Sequence, residues 1–385
     1  MIDTGISKLD RFLNGIPYGK SVLFYIDPVV EESNIGIHVL HHNLEKGLYG
    51  VYVVSESSPK NVEKVFREFN WSRENYDKMI VVDAYSSLIG APSEEKYRIY
   101  EAHDIENYEG VLLDIIEKID RGVVIFDSLS NIMDLCGEKD TLDGIEKLNK
   151  ELGKKEVVSF YNFISWPYKE SIIYRLKRIF NAIIEVNLVE DIVTRQKMCI
   201  RKVDWNDCKD KEIYFKIFKP EGLRVYIPKV SVIGPHQSGK TTFIKSVSKE
   251  FTPVERKGAT VGIEYGSVDY KGYRIDIFGL PGLERFSPIA DKMIGSSNII
   301  FIVVDSTKEE DIFYAKEIIS KINIPFIILA NKQDIQGAMS KEEIRNRMEL
   351  SEDIPIIEIS AKDGKNVYEV IDKMLEILED AQNAC

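Results

Sequence analysis

The chain has 385 residues, 44% of them hydrophobic and 30% charged. That balance belongs to a protein with sizeable cores, and at roughly 100–200 residues per domain the length allows two. Its 51 Lys and Arg against 63 Asp and Glu give a net charge of -12, which argues against a broad nucleic-acid footprint.

Residues 1–228 alternate strand and helix patterns. Ser21–Ile26, Gly50–Val54, Met79–Asp83, Val123–Asp127 and Glu156–Phe163 read as strands, with helical periodicity between them, as in Ser33–Glu45 and Pro59–Glu68. Short apolar strands joined by helices predict a parallel α/β sheet. Ala182–Leu188, Lys197–Val203, Glu212–Phe218 and Leu223–Ile227 then predict an antiparallel extension.

Several segments of this half carry a resemblance. Thr4-Gly5-Ile6-Ser7-Lys8-Leu9-Asp10, followed by Leu13–Gly19, resembles the opening of KaiC-like members of the RecA ATPase superfamily. Val53–Pro59, with Glu56, resembles their second strand and its acidic end. Val123–Ser130, with Asp127, resembles their Walker B strand, and Cys199–Val203 their late basic strand. After Ser21–Ile26 that family places GxxGxGK[ST]; here the chain reads Asp27-Pro28-Val29-Val30-Glu31-Glu32-Ser33. β-Branched residues resist the backbone angles of a phosphate nest. A carboxylate about 4 Å from a phosphate charge costs on the order of 4 kcal/mol even at an effective dielectric of about 20. A degenerate domain that does not bind ATP in the usual way is expected, with Asp127 and Glu56 left as relics or loop anchors.

His38, His41 and His42 lie along one predicted helix, without the glutamate of an HExxH metal motif. Trp71, Trp166 and Trp205 read as core or rim aromatics. Cys136, Cys199, Cys208 and Cys385 lack CxxC spacing and are too few for a disulfide framework.

The pattern restarts near residue 229. Lys229–Ile233 reads as a buried strand, then Gly234-Pro235-His236-Gln237-Ser238-Gly239-Lys240-Thr241, then a helix from Thr242 to about Lys249. This is the GxxxxGK[ST] phosphate loop in its strand–loop–helix setting. Its glycines let backbone N–H groups curl around a β-phosphate, and the helix N-terminus adds its dipole. Lys240 is expected to reach the β- and γ-phosphates, and the Thr241 hydroxyl to ligate Mg2+. His236 either approaches the γ-phosphate or is a tolerated variable position.

Base-reading elements follow in order. Ile324–Ala330 is a predicted strand ending in Asn331-Lys332-Gln333-Asp334. The Asp334 carboxylate is suited to accept the paired N–H groups of guanine, which adenine lacks. Asn331 would brace the loop, and the Lys332 stem would cover the ring. Ile354–Ile359 ends in Ser360-Ala361-Lys362, whose amides are placed to meet guanine O6. Residues 229–380 thus resemble a small GTPase of the Ras superfamily, in its Arf and bacterial or archaeal Ras-like branches, which implies GTP/GDP and Mg2+ as ligands. In that resemblance Thr260, within Thr260–Tyr265, senses the γ-phosphate and Mg2+.

The second switch departs from the family pattern, a strand followed by DxxGQE. Placing Glu284-Arg285-Phe286 on the family's QERF without gaps makes Gly282 the γ-phosphate glycine. It sets Gly279 where the Mg2+-linked Asp belongs, and Leu283 where the water-orienting Gln belongs. The alternative takes Asp276 as the motif Asp and Gly279 as its glycine; the gap-free alignment is preferred because Asp276 falls mid-strand. Leucine has no donor or acceptor to position water, so tight GTP binding with slow hydrolysis is expected.

The expected architecture is α/β: two P-loop NTPase-type domains in tandem, a degenerate RecA/KaiC-like domain over 1–228 and a small GTPase-like domain over 229–385. Residues 219–229 leave almost no flexible spacer. The leading function is a GTP-dependent switch coupled to an inactive ATPase-like platform, with protein effectors or regulators and a homo-oligomer as implied partners. The alternative is a scaffold that binds guanine nucleotide without cycling. An ATP-driven nucleic-acid motor is disfavoured by the missing lysine and the acidic balance. No run approaches the roughly 18–20 apolar residues that span a bilayer. The charged opening MIDTGISKLDRF is no secretion signal and QNAC no prenylation box, so a cytoplasmic protein without membrane attachment is expected.

Overall fold

The computed structural model describes residues 1–30, 33–72, 76–189, 195–254, 262–280 and 288–383. The chain divides into two compact units, Met1–Val225 and Tyr226–Cys385.

The first unit begins with α1 (Ser7–Leu13), β1 (Ser21–Ile26), α2 (Ser33–Glu45), β2 (Tyr49–Val54), α3 (Pro59–Glu68), β3 (Met79–Asp83) and β4 (Tyr97–Arg98). It continues through α4 (Ile105–Ile116), β5 (Gly122–Phe126), α5 (Leu129–Cys136), α6 (Glu138–Leu152), β6 (Val157–Ile164) and α7 (Glu170–Ile179). It closes with β7 (Ala182–Val189), β8 (Arg195–Val203), β9 (Glu212–Phe218) and the start of β10 (Gly222–Ile233). Strands β7-β1-β6-β5-β2-β3-β4 lie side by side and parallel. β8 and β9 extend the β7 edge antiparallel.

Every residue of β5 and β6 is buried, the mark of a sheet covered on both faces. Leu23, Val51, Val53, Val124, Phe126, Tyr161 and Phe163 share one core with α4, α5 and α6. These alternate positions point to one face, while α2 packs against β2, β5 and β6.

The second unit holds the end of β10, then α8 (Lys240–Val247), β11 (Glu250–Val254), β12 (Ile263–Tyr270), β13 (Tyr273–Gly279) and α9 (Pro288–Gly295). There follow β14 (Ile299–Asp305), α10 (Glu309–Ile319), β15 (Phe326–Asn331), α11 (Lys341–Met348), β16 (Ile356–Glu358) and α12 (Val367–Asn383). The sheet order here is β11-β12-β13-β10-β14-β15-β16. β10, β14, β15 and β16 run parallel, while β11, β12 and β13 form an antiparallel edge. Lys271 and Gly272, both at positive φ, make the two-residue turn between β12 and β13, matching the right-handed twist of a hairpin.

Ile233, Ile300, Ile302, Val304 and Ile328 pack on Ile312, Ala315 and Ile318 of α10 and on Ile344 and Met348 of α11. Ser340 caps α11 in a reciprocal capping box with Glu343. Helix α8 stops at Val247, two residues short of the sequence expectation, because the Lys249 amide donates to Ser267 of β12 and the chain turns extended. β15 and β16 start just after Pro325 and Pro355, whose carbonyls accept from Ile300 and Ile328 but which have no N–H to give.

Candidate functional site

Strand β10 ends at Ile233 and α8 starts at Lys240, so residues 234–239 form the loop between them. Two of its glycines are steric requirements. A Cβ on Gly234 (φ +150) would stand 2.2 Å from the Val303 carbonyl oxygen, and one on Gly239 (φ +102) 2.1 Å from Asn331 Nδ2. Lys240 Nζ donates to the carbonyls of Gly234 and Pro235 at 2.9 and 2.7 Å. Burial pulls its ammonium below the usual lysine range, against the opposing pull of Glu264 and Asp311. Thr241 Oγ1 donates to Glu264 Oε1 at 2.5 Å. Ser238 is buried, Pro235 half-buried, and His236, Gln237 and Thr242 are exposed.

Asn331 closes β15 and is 2% exposed. Its Nδ2 donates to the Ser238 carbonyl at 2.8 Å, and its Oδ1 accepts the Ala361 amide at 3.0 Å. One side chain therefore joins the phosphate loop, the NKQD segment and the SAK segment. Lys332 takes a left-handed backbone (φ 70), and its Nζ donates to Asp305 Oδ2 at 2.6 Å. Burial works to raise the Asp305 carboxyl, but Lys332 and Thr307 outweigh it and hold the group below the usual carboxylate range. Ser360 Oγ donates to Asp334 Oδ1 at 2.9 Å. Asp334 and Lys362 are otherwise exposed at the mouth of the site.

Of the switch residues, Thr260, Gly282, Leu283 and Glu284-Arg285-Phe286 lie outside the described residues. Gly279 ends β13 and is buried. Asp276, the alternative motif acid, accepts from Tyr226 and Tyr265 hydroxyls at 2.5 and 2.9 Å, one on each oxygen. Two functional candidates escape the sequence reading. Asp305 carries no motif beyond ending a strand, and Glu264 is found only through the cross-strand register that sets it opposite Gly279.

The corresponding loop of the first unit is built differently. After β1, Asp27 accepts the Val29 amide on Oδ1 at 3.0 Å and the Val30 amide on its carbonyl at 2.9 Å. Two amides are thus spent on a local turn; Glu31 and Glu32 lie outside the described residues. Asp127, at the Walker B position, accepts the Ser55 amide on both oxygens at 2.9 Å, the Ser55 hydroxyl at 2.6 Å and the Glu56 amide at 3.1 Å. Burial pushes its carboxyl up to about 6 against those hydrogen bonds.

The histidines of α2 serve packing. His41 stacks on Trp71 at 3.7 Å, and His38 meets Phe69 and Trp71 edge-on. Trp205 Nε1 donates to the Leu13 and Gly15 carbonyls, while Trp166 is exposed. Cys136, Cys199 and Cys208 are free thiols, and Cys385 lies outside the described residues.

Among the described residues no group of three or more His, Cys, Asp or Glu is arranged for a metal. The donors by the phosphate loop are oxygens, the Thr241 hydroxyl beside a carboxylate, a set that suits Mg2+ completed by phosphate oxygens. No helix among the described residues is long and apolar enough to cross a membrane.

Two family models match the chain: KaiC, described as an ATPase, over residues 2–230, and the ADP-ribosylation factor family, Arf, over residues 217–378. An uncharacterized protein of Methanocaldococcus jannaschii is 36% identical over 121 residues, 31% of this chain and 77% of that protein. ADP-ribosylation factor-related protein 1 of Rattus norvegicus is 29% identical over 129 residues, 30% of this chain and 64% of the relative. The chain therefore spans just under two thirds of that relative's length. Among solved structures, a KaiC-like protein from Pyrococcus horikoshii aligns with a TM-score of 0.49 at 23% identity, over 58% of this chain and 98% of that one.

Proposed function

The chain belongs to the KaiC family and carries at its C-terminal end a domain of Arf, a GTP-binding small-GTPase family, and on that footing we propose that it is a guanine-nucleotide switch with slow intrinsic hydrolysis. In this reading GTP or GDP binds with Mg2+ at residues 234–242, and Asp334, Ala361 and their neighbours read the base. Thr260, Gly279 and Gly282 sense the γ-phosphate side. The N-terminal domain is a platform that does not turn over ATP and passes the nucleotide state to partner proteins, as a single chain or a homo-oligomer.

The observation that carries this reading is the Asn331 side chain, bonded to both Ser238 and Ala361. Phosphate-binding and base-reading segments so joined form a preorganised site rather than three separate loops. Slow turnover rests on Leu283, which offers no group to orient water. The same residue, with Gly279, favours a second reading in which bound nucleotide has a structural role and never cycles.

Single-turnover hydrolysis of GTP by the full-length protein, with Lys240→Ala as the blank, separates these. Slow turnover that needs Lys240 supports the switch. Tight binding without turnover over many hours supports the scaffold, and no binding overturns both.

A further inference from the structure

Strand β13 ends beside α8 with a glycine where the gap-free small-GTPase alignment places an acid. Backbone conformation does not explain this glycine, whose φ lies outside the left-handed region that glycine serves. Its surroundings do. Gly279 faces Glu264 directly in the antiparallel β12–β13 register. A Cβ on Gly279 would stand 2.5 Å from Ile244 Cδ1, 2.9 Å from Glu264 Oε2 and 3.2 Å from Glu264 Cβ. The Glu264 and Ile244 side chains together fill the space that a side chain at 279 would need.

The same carboxylate reaches the phosphate loop. Its Oε1 accepts the Thr241 hydroxyl proton at 2.5 Å. A threonine hydroxyl has one proton and two lone pairs. With the proton given to Glu264, the lone pairs remain for a cation, and the carboxylate makes the oxygen a better donor. An outer partner of this kind orients and strengthens a metal ligand. The Glu264 charge also works against the burial that pulls the Lys240 ammonium below the usual lysine range.

We propose that Glu264 is the acidic member of the Mg2+ site, carried on β12 and acting through Thr241, with Gly279 the position that leaves room for it. This rests on the guanine-nucleotide reading above. Glu264 is a positioning residue: it tunes a ligand of the cation and supplies the negative charge beside the phosphates that position 279 does not carry, Asp276 of β13 being engaged by Tyr226 and Tyr265.

The test uses full-length protein loaded with N-methylanthraniloyl-GDP, with free Mg2+ set by EDTA buffers and nucleotide release followed by fluorescence. In the parent, Mg2+ is expected to slow release. Glu264→Gln keeps size and a hydrogen-bond acceptor but loses the charge, and is expected to raise the half-effective Mg2+ concentration about 10–100-fold. Its release rate in excess EDTA is expected to stay close to the parent's. The double variant Glu264→Ala/Gly279→Asp, which puts an acid at position 279, is expected to move the Mg2+ midpoint back toward the parent's.

A Glu264→Gln midpoint equal to the parent's overturns the assignment and leaves nucleotide binding intact. Release accelerated equally with and without Mg2+ also overturns it, since that reports a structural role. A parent that holds no fluorescent GDP overturns the guanine-nucleotide reading and the assignment with it. The single variant decides the matter even where the double variant does not fold.

Discussion

Asn331 donates to the Ser238 carbonyl at 2.8 Å, from the end of one strand to the loop after another, 93 residues apart in sequence. Asn331→Ala leaves that buried carbonyl and the Ala361 amide without their partner, at about 1–3 kcal/mol for each unsatisfied group. GTP and GDP affinity are expected to fall together, by about 10–100-fold at roughly 1.4 kcal/mol per tenfold. Fluorescent-nucleotide titration checks this; loss of one nucleotide alone would contradict a bracing role.

On the gap-free alignment of the second switch, Leu283→Gln is expected to supply a water-orienting group. Single-turnover hydrolysis is expected to rise about tenfold or more, with GTP affinity little changed, because the group acts on the attacking water rather than on the bound nucleotide. An unchanged rate would show that Leu283 is not what limits turnover.

The first unit is expected to take up no ATP. With Lys240→Ala disabling the second unit's loop, equilibrium dialysis of the full chain against ATP and Mg2+ should show no saturable site. The amides of Val29 and Val30 are already bonded to Asp27, and a phosphate nest needs free amides. One mole of ATP bound per chain in that variant would refute the expectation.

Asp127 predicts a pH signature. Its folded carboxyl titrates at about 6, raised first by burial, while an unfolded Asp titrates near 3.9. The folded state therefore holds the proton more tightly. The stability contribution is full below about pH 4 and is lost as pH rises through about 6. Asp127→Asn removes this dependence, so variant stability minus parent stability should rise by about 1–3 kcal/mol from about pH 4 to about pH 7. The comparison must be a difference, because His38 and His41, pushed by burial to about 3 and about 4, act in the opposite direction in both proteins. Urea unfolding at the two pH values checks it, and a flat difference would count against the buried acid.

Much of the fold is legible locally. Ser21–Ile26 and Met79–Asp83 have the same bounds in sequence and structure, because short apolar runs between turn residues mark buried strands without tertiary information; Glu212–Phe218 also keeps its bounds, through β-propensity in a strand that is only partly buried. The phosphate loop, NKQD and SAK are legible for a related reason: each sits at a strand end, where backbone geometry and motif coincide. What escapes is chemistry made across strands. Ile299–Asp305 is buried at every position, but no motif follows it, and nothing local marks Asp305 as the partner of Lys332. Glu264 reads as one polar residue in an edge strand until the register sets it against Gly279 and Thr241.

The hydrogen bonds around Asp127 and Asp27 also bear on reversibility. The Val29 and Val30 amides are held by Asp27, and Asp127 is engaged by Ser55 and Glu56. Each of those contacts supports the present fold, so undoing any one alone lowers stability before it restores a ligand. A phosphate site in this unit would therefore need several contacts given up together, so no single substitution is expected to create one.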